Sequence, residues 1–136
     1  MLEINNLTRF TVDKKSFSQV AKKVLMGENK GTENISLAFV GKAEIKKLNK
    51  KFRNKNKPTD VLSFNLNDKN CLGEIVICPE IVRENAKKYG VTIKHETMKM
   101  FVHGILHLLG YDHEKSEKEA EIMGKKQEKY LTAYQK

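Results

Sequence analysis

The chain has 136 residues, 39% hydrophobic and 32% charged, and a formal net charge of +9 from 26 Lys and Arg against 17 Asp and Glu. That length gives one domain, residues 1–136, large enough for a core without disulfide staples. No apolar run approaches the roughly 20 residues of a membrane span, and MLEINNLTRFTVDKK lacks an export signal, so a cytoplasmic protein with no membrane role is expected.

Leu2–Leu7 is a short strand candidate, and Ser16–Met26 places Phe17, Val20, Ala21, Val24 and Leu25 at helical spacing. Ile35–Val40 alternates as a strand does. Lys42–Phe52 follows as a helix with Ile45, Leu48 and Phe52 on its apolar side, which assigns Phe52 to the core. Seven of the twelve residues from Lys46 to Lys57 are basic and none is acidic, whereas Asp112–Glu121 holds five acids and two lysines. That asymmetry suits a polyanionic partner, or equally a solvated lysine-rich helix face.

Past Pro58, Asp60–Leu66 and Leu72–Cys78 form two strand candidates joined across the polar turn Asn67–Asn70. Glu74 faces outward or brings a carboxylate to a site, the outward reading being preferred. Cys71 and Cys78 read as reduced packing thiols. Pro79–Tyr89 is a helix opened by proline and closed by Gly90. Thr92–Leu109 is the next, with Met98, Phe101, Val102, Ile105, Leu106 and Leu109 as a wide apolar stripe, and Gly110 ends it. A last amphipathic helix starts at Ser116, capped by Ser116 or Asp112. Together these elements predict an α+β fold: a small mixed four-stranded sheet covered by helices.

The stretch HGILHLLGYDH, residues 103–113, carries the chemistry. His103 and His107 are four apart on a helix and project from one face, so both can hold one ion. His113 can join them if the chain reverses after the helix, which Gly110 permits because glycine takes the left-handed conformation without steric cost. Three neutral imidazoles predict one Zn2+ per chain, or another divalent metal, with a fourth position open for a water whose pKa falls to about 7. The bland alternative is histidines satisfied in a core, but the glycine at the turning point fits all positions to one geometry. His95 reads as a surface residue near a helix start. The H-x3-H-x2-G-x2-H spacing is similar to that of metzincin peptidases, yet Gly104 stands where they place the catalytic glutamate, so the peptidase reading lacks its base.

As a whole, HGILHLLGYDH resembles the signature of the YbeY-type family of metal-dependent endoribonucleases. LNKKFRNKNKPTDVLSF (48–64) and LGEIVIC (72–78) are similar to that family's other blocks, in the usual order. The resemblance implies metal ligation by His103, His107 and His113, a functional Arg53, and a metal site among the C-terminal helices. It further implies cleavage of single-stranded RNA in maturation of the 3′ end of 16S ribosomal RNA and in ribosome quality control, with ribosomal RNA and the small ribosomal subunit as partners. A monomer is the favoured state, although no residue pattern fixes it.

Arg53, with the three histidines, is then the candidate catalytic set. Its planar fork can clamp two phosphate oxygens, although a plain salt bridge or helix-end cation explains it equally from the residues alone. Lys50, Lys51, Lys55 and Lys57, with Arg53, would hold the RNA backbone. Asp112 either orients a ligating imidazole or caps the last helix. Two rival readings are a non-catalytic RNA-binding assembly factor stapled by zinc and, less favoured, a metallopeptidase.

Overall fold

Ile35, Leu37 and Phe39 bury on one side of their strand and Ala38 on the other, and this alternation sets the layers of the molecule. The structure, a computed structural model, describes residues 2–68 and 71–135. In chain order its elements are β1 (Leu2–Asn6), α1 (Lys14–Gly27), β2 (Ile35–Phe39), α2 (Lys42–Arg53), β3 (Val61–Asp68), β4 (Cys71–Ile77), α3 (Pro79–Tyr89), α4 (Ile93–Leu108) and α5 (Glu117–Gln135). The four strands form one mixed sheet in the order β1-β2-β4-β3. The β1/β2 and β2/β4 pairs are parallel and β3/β4 is antiparallel. The expected fold class is the observed one.

On one face, Ile35, Leu37, Phe39, Ile75 and Ile77 pack with Phe17, Phe101, Ile105 and Met123 from α1, α4 and α5. The other face is smaller: Ala38, Leu62, Val76 and Cys78 under Ile45 and Leu48 of α2. The helix expected from Ser16 begins two residues earlier because Asp13 accepts the Ser16 N–H and caps it. Of the two caps considered for α5, Ser116 serves: its Oγ accepts the Glu119 N–H at 3.0 Å. The β3 and β4 strands run closer together than the expected four-residue turn, to Asp68 and from Cys71, and Lys69 and Asn70 of that turn lie outside the described residues.

Phe52 departs from its expected place. It is 56% exposed, with its ring edge-on to Phe64 at 5.1 Å. The reason is the strand order: β3 is an edge strand, so among the described residues no further strand lies beyond it to cover the last turn of the apolar stripe on α2. Glu74 lies on the α2 face, 3.4 Å from Ser36 Oγ, away from the histidines and outside their cavity. Cys78 is buried and Cys71 half-buried, both free thiols, and burial pushes the Cys78 thiol up. No described helix is long and apolar enough to cross a membrane.

Candidate functional site

Helix α4 lies against β3 and β4, and its close approach depends on small residues. A Cβ added at Gly104 would sit 2.9 Å from Ile75 Cγ2, so position 104 faces the sheet. Any side chain there would press on the sheet, and glycine itself carries no carboxylate to serve as a peptidase base. His103 and His107 project from the helix toward its open side and are half-buried. The helix ends in a Schellman motif: Tyr111 N–H donates to the Leu106 carbonyl and Gly110 N–H to that of His107, both at 3.1 Å, with Gly110 at φ +104°. The chain therefore reverses at the glycine. Asp112 Oδ1 then accepts the Glu114 N–H at 2.9 Å, a local turn that swings His113 back over the helix.

The three rings stand with centroids 5.0–5.8 Å apart, and one nitrogen from each lies within 4.8 Å of the others. A tetrahedral ion with bonds of about 2.1 Å needs its nitrogens roughly 3.4 Å apart, a closure that ring rotation supplies. The donor set fits: three uncharged nitrogen ligands could hold a divalent metal ion. Among the described residues no fourth His, Cys, Asp or Glu completes the cluster, as an open site requires.

His103 Nδ1 lies 2.9 Å from Gln127 Oε1 on α5. An amide oxygen only accepts, so this contact suits the tautomer with its proton on Nδ1, which leaves the Nε2 lone pair for a ligand. Burial, reinforced by the two neighbouring imidazoles, holds the His103 pKa below its ordinary value despite the Gln127 bond, favouring the neutral form that ligation requires.

The rings open onto a cavity of about 400 Å3 whose wall also includes Arg53, Thr59, Asp60, Ser63 and Met100. Arg53, the last residue of α2, lies on that wall, and beyond it Asn54 adopts the left-handed conformation (φ 56°) and turns the chain away. Asn49, 1% exposed, pins the loop that follows by donating Nδ2 to the Lys57 carbonyl at 2.9 Å. One oxygen of Glu114 lies 3.8 Å from the Arg53 guanidinium and 3.9 Å from His113 Nε2, both pairs solvent-exposed and weak. Lys50, Lys51, Lys55 and Lys57 are exposed along α2 and its loop, outside the cavity wall. His95 sits half-buried in the first turn of α4, apart from the site.

Sequence reasoning left Asp112 between two roles, and the structure gives it a third: its carboxylate folds the turn and bonds neither an imidazole nor the α5 N-terminus. Gln127 was missed altogether. Asp60, also on the cavity wall, is committed to structure, accepting from Val61 N–H at 2.8 Å and from Asn85 Nδ2 at 3.4 Å.

Residues 3–135 match the family described as endoribonuclease YbeY. The chain belongs to that family. Its YbeY relatives include the endoribonuclease YbeY of Thermotoga maritima, 41% identical over 118 residues that cover 87% of this chain and 75% of that one. The endoribonuclease YbeY of Bdellovibrio bacteriovorus is 50% identical over 99 residues, 73% of this chain and 65% of that one. A solution structure of a Thermotoga maritima protein superposes with a TM-score of 0.73 at 36% identity, over 98% of this chain and 89% of that one. The YbeY assignment and the mixed-sheet fold thus agree.

Proposed function

We propose that this chain is a metal-dependent endoribonuclease that hydrolyses phosphodiester bonds in single-stranded ribosomal RNA, within a single domain spanning residues 1–136. One observation carries the reading: three imidazoles that converge on one point share a cavity with an arginine at the end of a strongly basic helix. His103, His107 and His113 would hold one Zn2+. When bound, the ion supplies Lewis-acid charge and activates a water for attack on phosphorus.

The chain's own residues do the rest. Arg53 presents a planar fork to the phosphate and offsets the charge that grows on its oxygens, displacing the weakly held Glu114 carboxylate. Lys50, Lys51, Lys55 and Lys57 hold the RNA backbone without reading sequence. Phe52, exposed next to Arg53, offers a ring for an unpaired base to stack on, which suits a single strand. Gln127 fixes the His103 ring. Maturation of the 3′ end of 16S ribosomal RNA, ribosome quality control and contact with the small subunit complete the reading on the family resemblance; a cytoplasmic location and a monomeric state are its remaining parts.

The test is elemental analysis of freshly purified protein, then cleavage of a single-stranded RNA with that metal, with a chelator and by His107→Ala, with casein as the rival substrate. About one zinc per chain, RNA cut, casein intact, and loss of metal and cleavage together in His107→Ala are expected. RNA cleavage by the metal-free variant overturns the proposal, and stoichiometric metal without any cleavage points to a non-catalytic assembly factor.

A further inference from the structure

Glu28 belongs to no part of the site described above, yet its carboxylate accepts from three side chains of the C-terminal third of the chain. Its side chain is 8% exposed. Oε1 accepts the Tyr111 hydroxyl at 2.5 Å, and Oε2 accepts the Tyr130 hydroxyl and Lys126 Nζ, the latter at 3.0 Å. A carboxylate at the C-terminal end of α1 opposes the helix dipole, and a buried one is costly unless fully paired. Helix preference therefore does not explain it; its partners do. Burial pulls the Glu28 carboxyl up, but the three donors outweigh it and hold the group below its ordinary value.

Those partners converge on the metal ligands from two sides. Tyr111 lies two residues before His113, directly after the reversal at Gly110. Its backbone N–H is fixed to Leu106, so the bond to Glu28 anchors the same residue a second time. Lys126 and Tyr130 are on α5, where Lys126 adjoins Gln127, the partner of His103. We propose that Glu28 is a positioning residue for the ligand set, setting the direction of the turn that carries His113 through the Tyr111 hydroxyl. The inference rests on the metal-site reading given above.

The two tyrosines make the test, because each places one hydroxyl on the same carboxylate and only one of them leads into the ligand turn. Tyr111→Phe and Tyr130→Phe keep their rings and remove one bond each. Metal affinity is measured by competition of Zn2+ against a chromophoric chelator, beside the absorption spectrum of the Co2+-loaded protein and the thermal midpoint of the apo forms. Both variants are expected to lower the midpoint. Tyr111→Phe is expected to weaken Zn2+ about tenfold and to change the Co2+ spectrum, the size of effect typical of groups that orient ligands, while Tyr130→Phe leaves both near wild type.

Glu28→Leu, which removes both acceptors, is expected to match Tyr111→Phe in affinity and carries the test should that variant not fold. Equal affinity losses in the two tyrosine variants, or none in either, overturn the positioning role while leaving the metal site standing. A wild-type protein that binds no Zn2+ or Co2+ overturns both.

Discussion

Replacing Gly104 by alanine sets two known effects against each other. In a helix interior the change gains about 1 kcal/mol of intrinsic propensity. Here the new methyl would meet three atoms of Ile75, at 2.9, 3.2 and 3.2 Å. Ile75 is fully buried on the central strand β4 and has no solvent side to move toward. Overpacking of this kind costs roughly 1–3 kcal/mol, so a net loss of about 1 kcal/mol is expected. Urea denaturation of Gly104→Ala, Ile75→Ala and the double variant separates the two terms. Ile75→Ala alone should cost roughly 2–5 kcal/mol through the cavity it leaves. In the double variant the methyl at 104 occupies part of that cavity, giving a coupling of about 1 kcal/mol or more in its favour. A Gly104→Ala protein more stable than wild type, with additive single effects, would show that the helix and strand are not in the tight contact on which the placement of His103 and His107 depends.

Two further outcomes follow from side chains near the site. Asp112→Asn retains an oxygen that accepts the Glu114 N–H, so Zn2+ affinity should stay within about threefold of wild type, whereas Asp112→Ala, which loses the turn, should weaken it further; isothermal titration of the pair decides. Burial, followed by the bond to Glu28, pushes the Tyr130 phenol up from 10.0 to about 12. The groups facing it, Tyr111 and Lys126, shift upward too, while Glu28 is held charged. The folded state therefore binds these protons more tightly, and its added stability is complete below pH 10 and lost as pH rises toward 12. Thermal midpoints across that window should fall more steeply for wild type than for Tyr130→Phe.

The sequence was legible where structure is local. Pro79 and Gly90 bracket α3 as their conformational preferences dictate, and His103, Gly110 and His113 announce their geometry through spacing along one helix and its cap. The alternation in Ile35–Val40 and the apolar run Leu72–Cys78 read as strands, and both lie in the sheet as β2 and β4. What stayed hidden depends on strand order and on partners distant in sequence. Phe52 has the periodicity of a core residue, and only the edge position of β3 exposes it. Gln127 is 24 residues from His103, and Glu28 is 83 from Tyr111, distances at which no spacing rule operates. Asp112 had two sensible roles by residue type, and the Schellman reversal next to it selected a third.

The braces on α5 have a kinetic consequence. Synthesis brings the histidines out before Gln127, so a half-made polypeptide has the three rings but not the amide that holds His103. On the proposed reading, tight capture of an ion coincides with docking of the last helix, so the site is completed only when the final turns of the chain are in place.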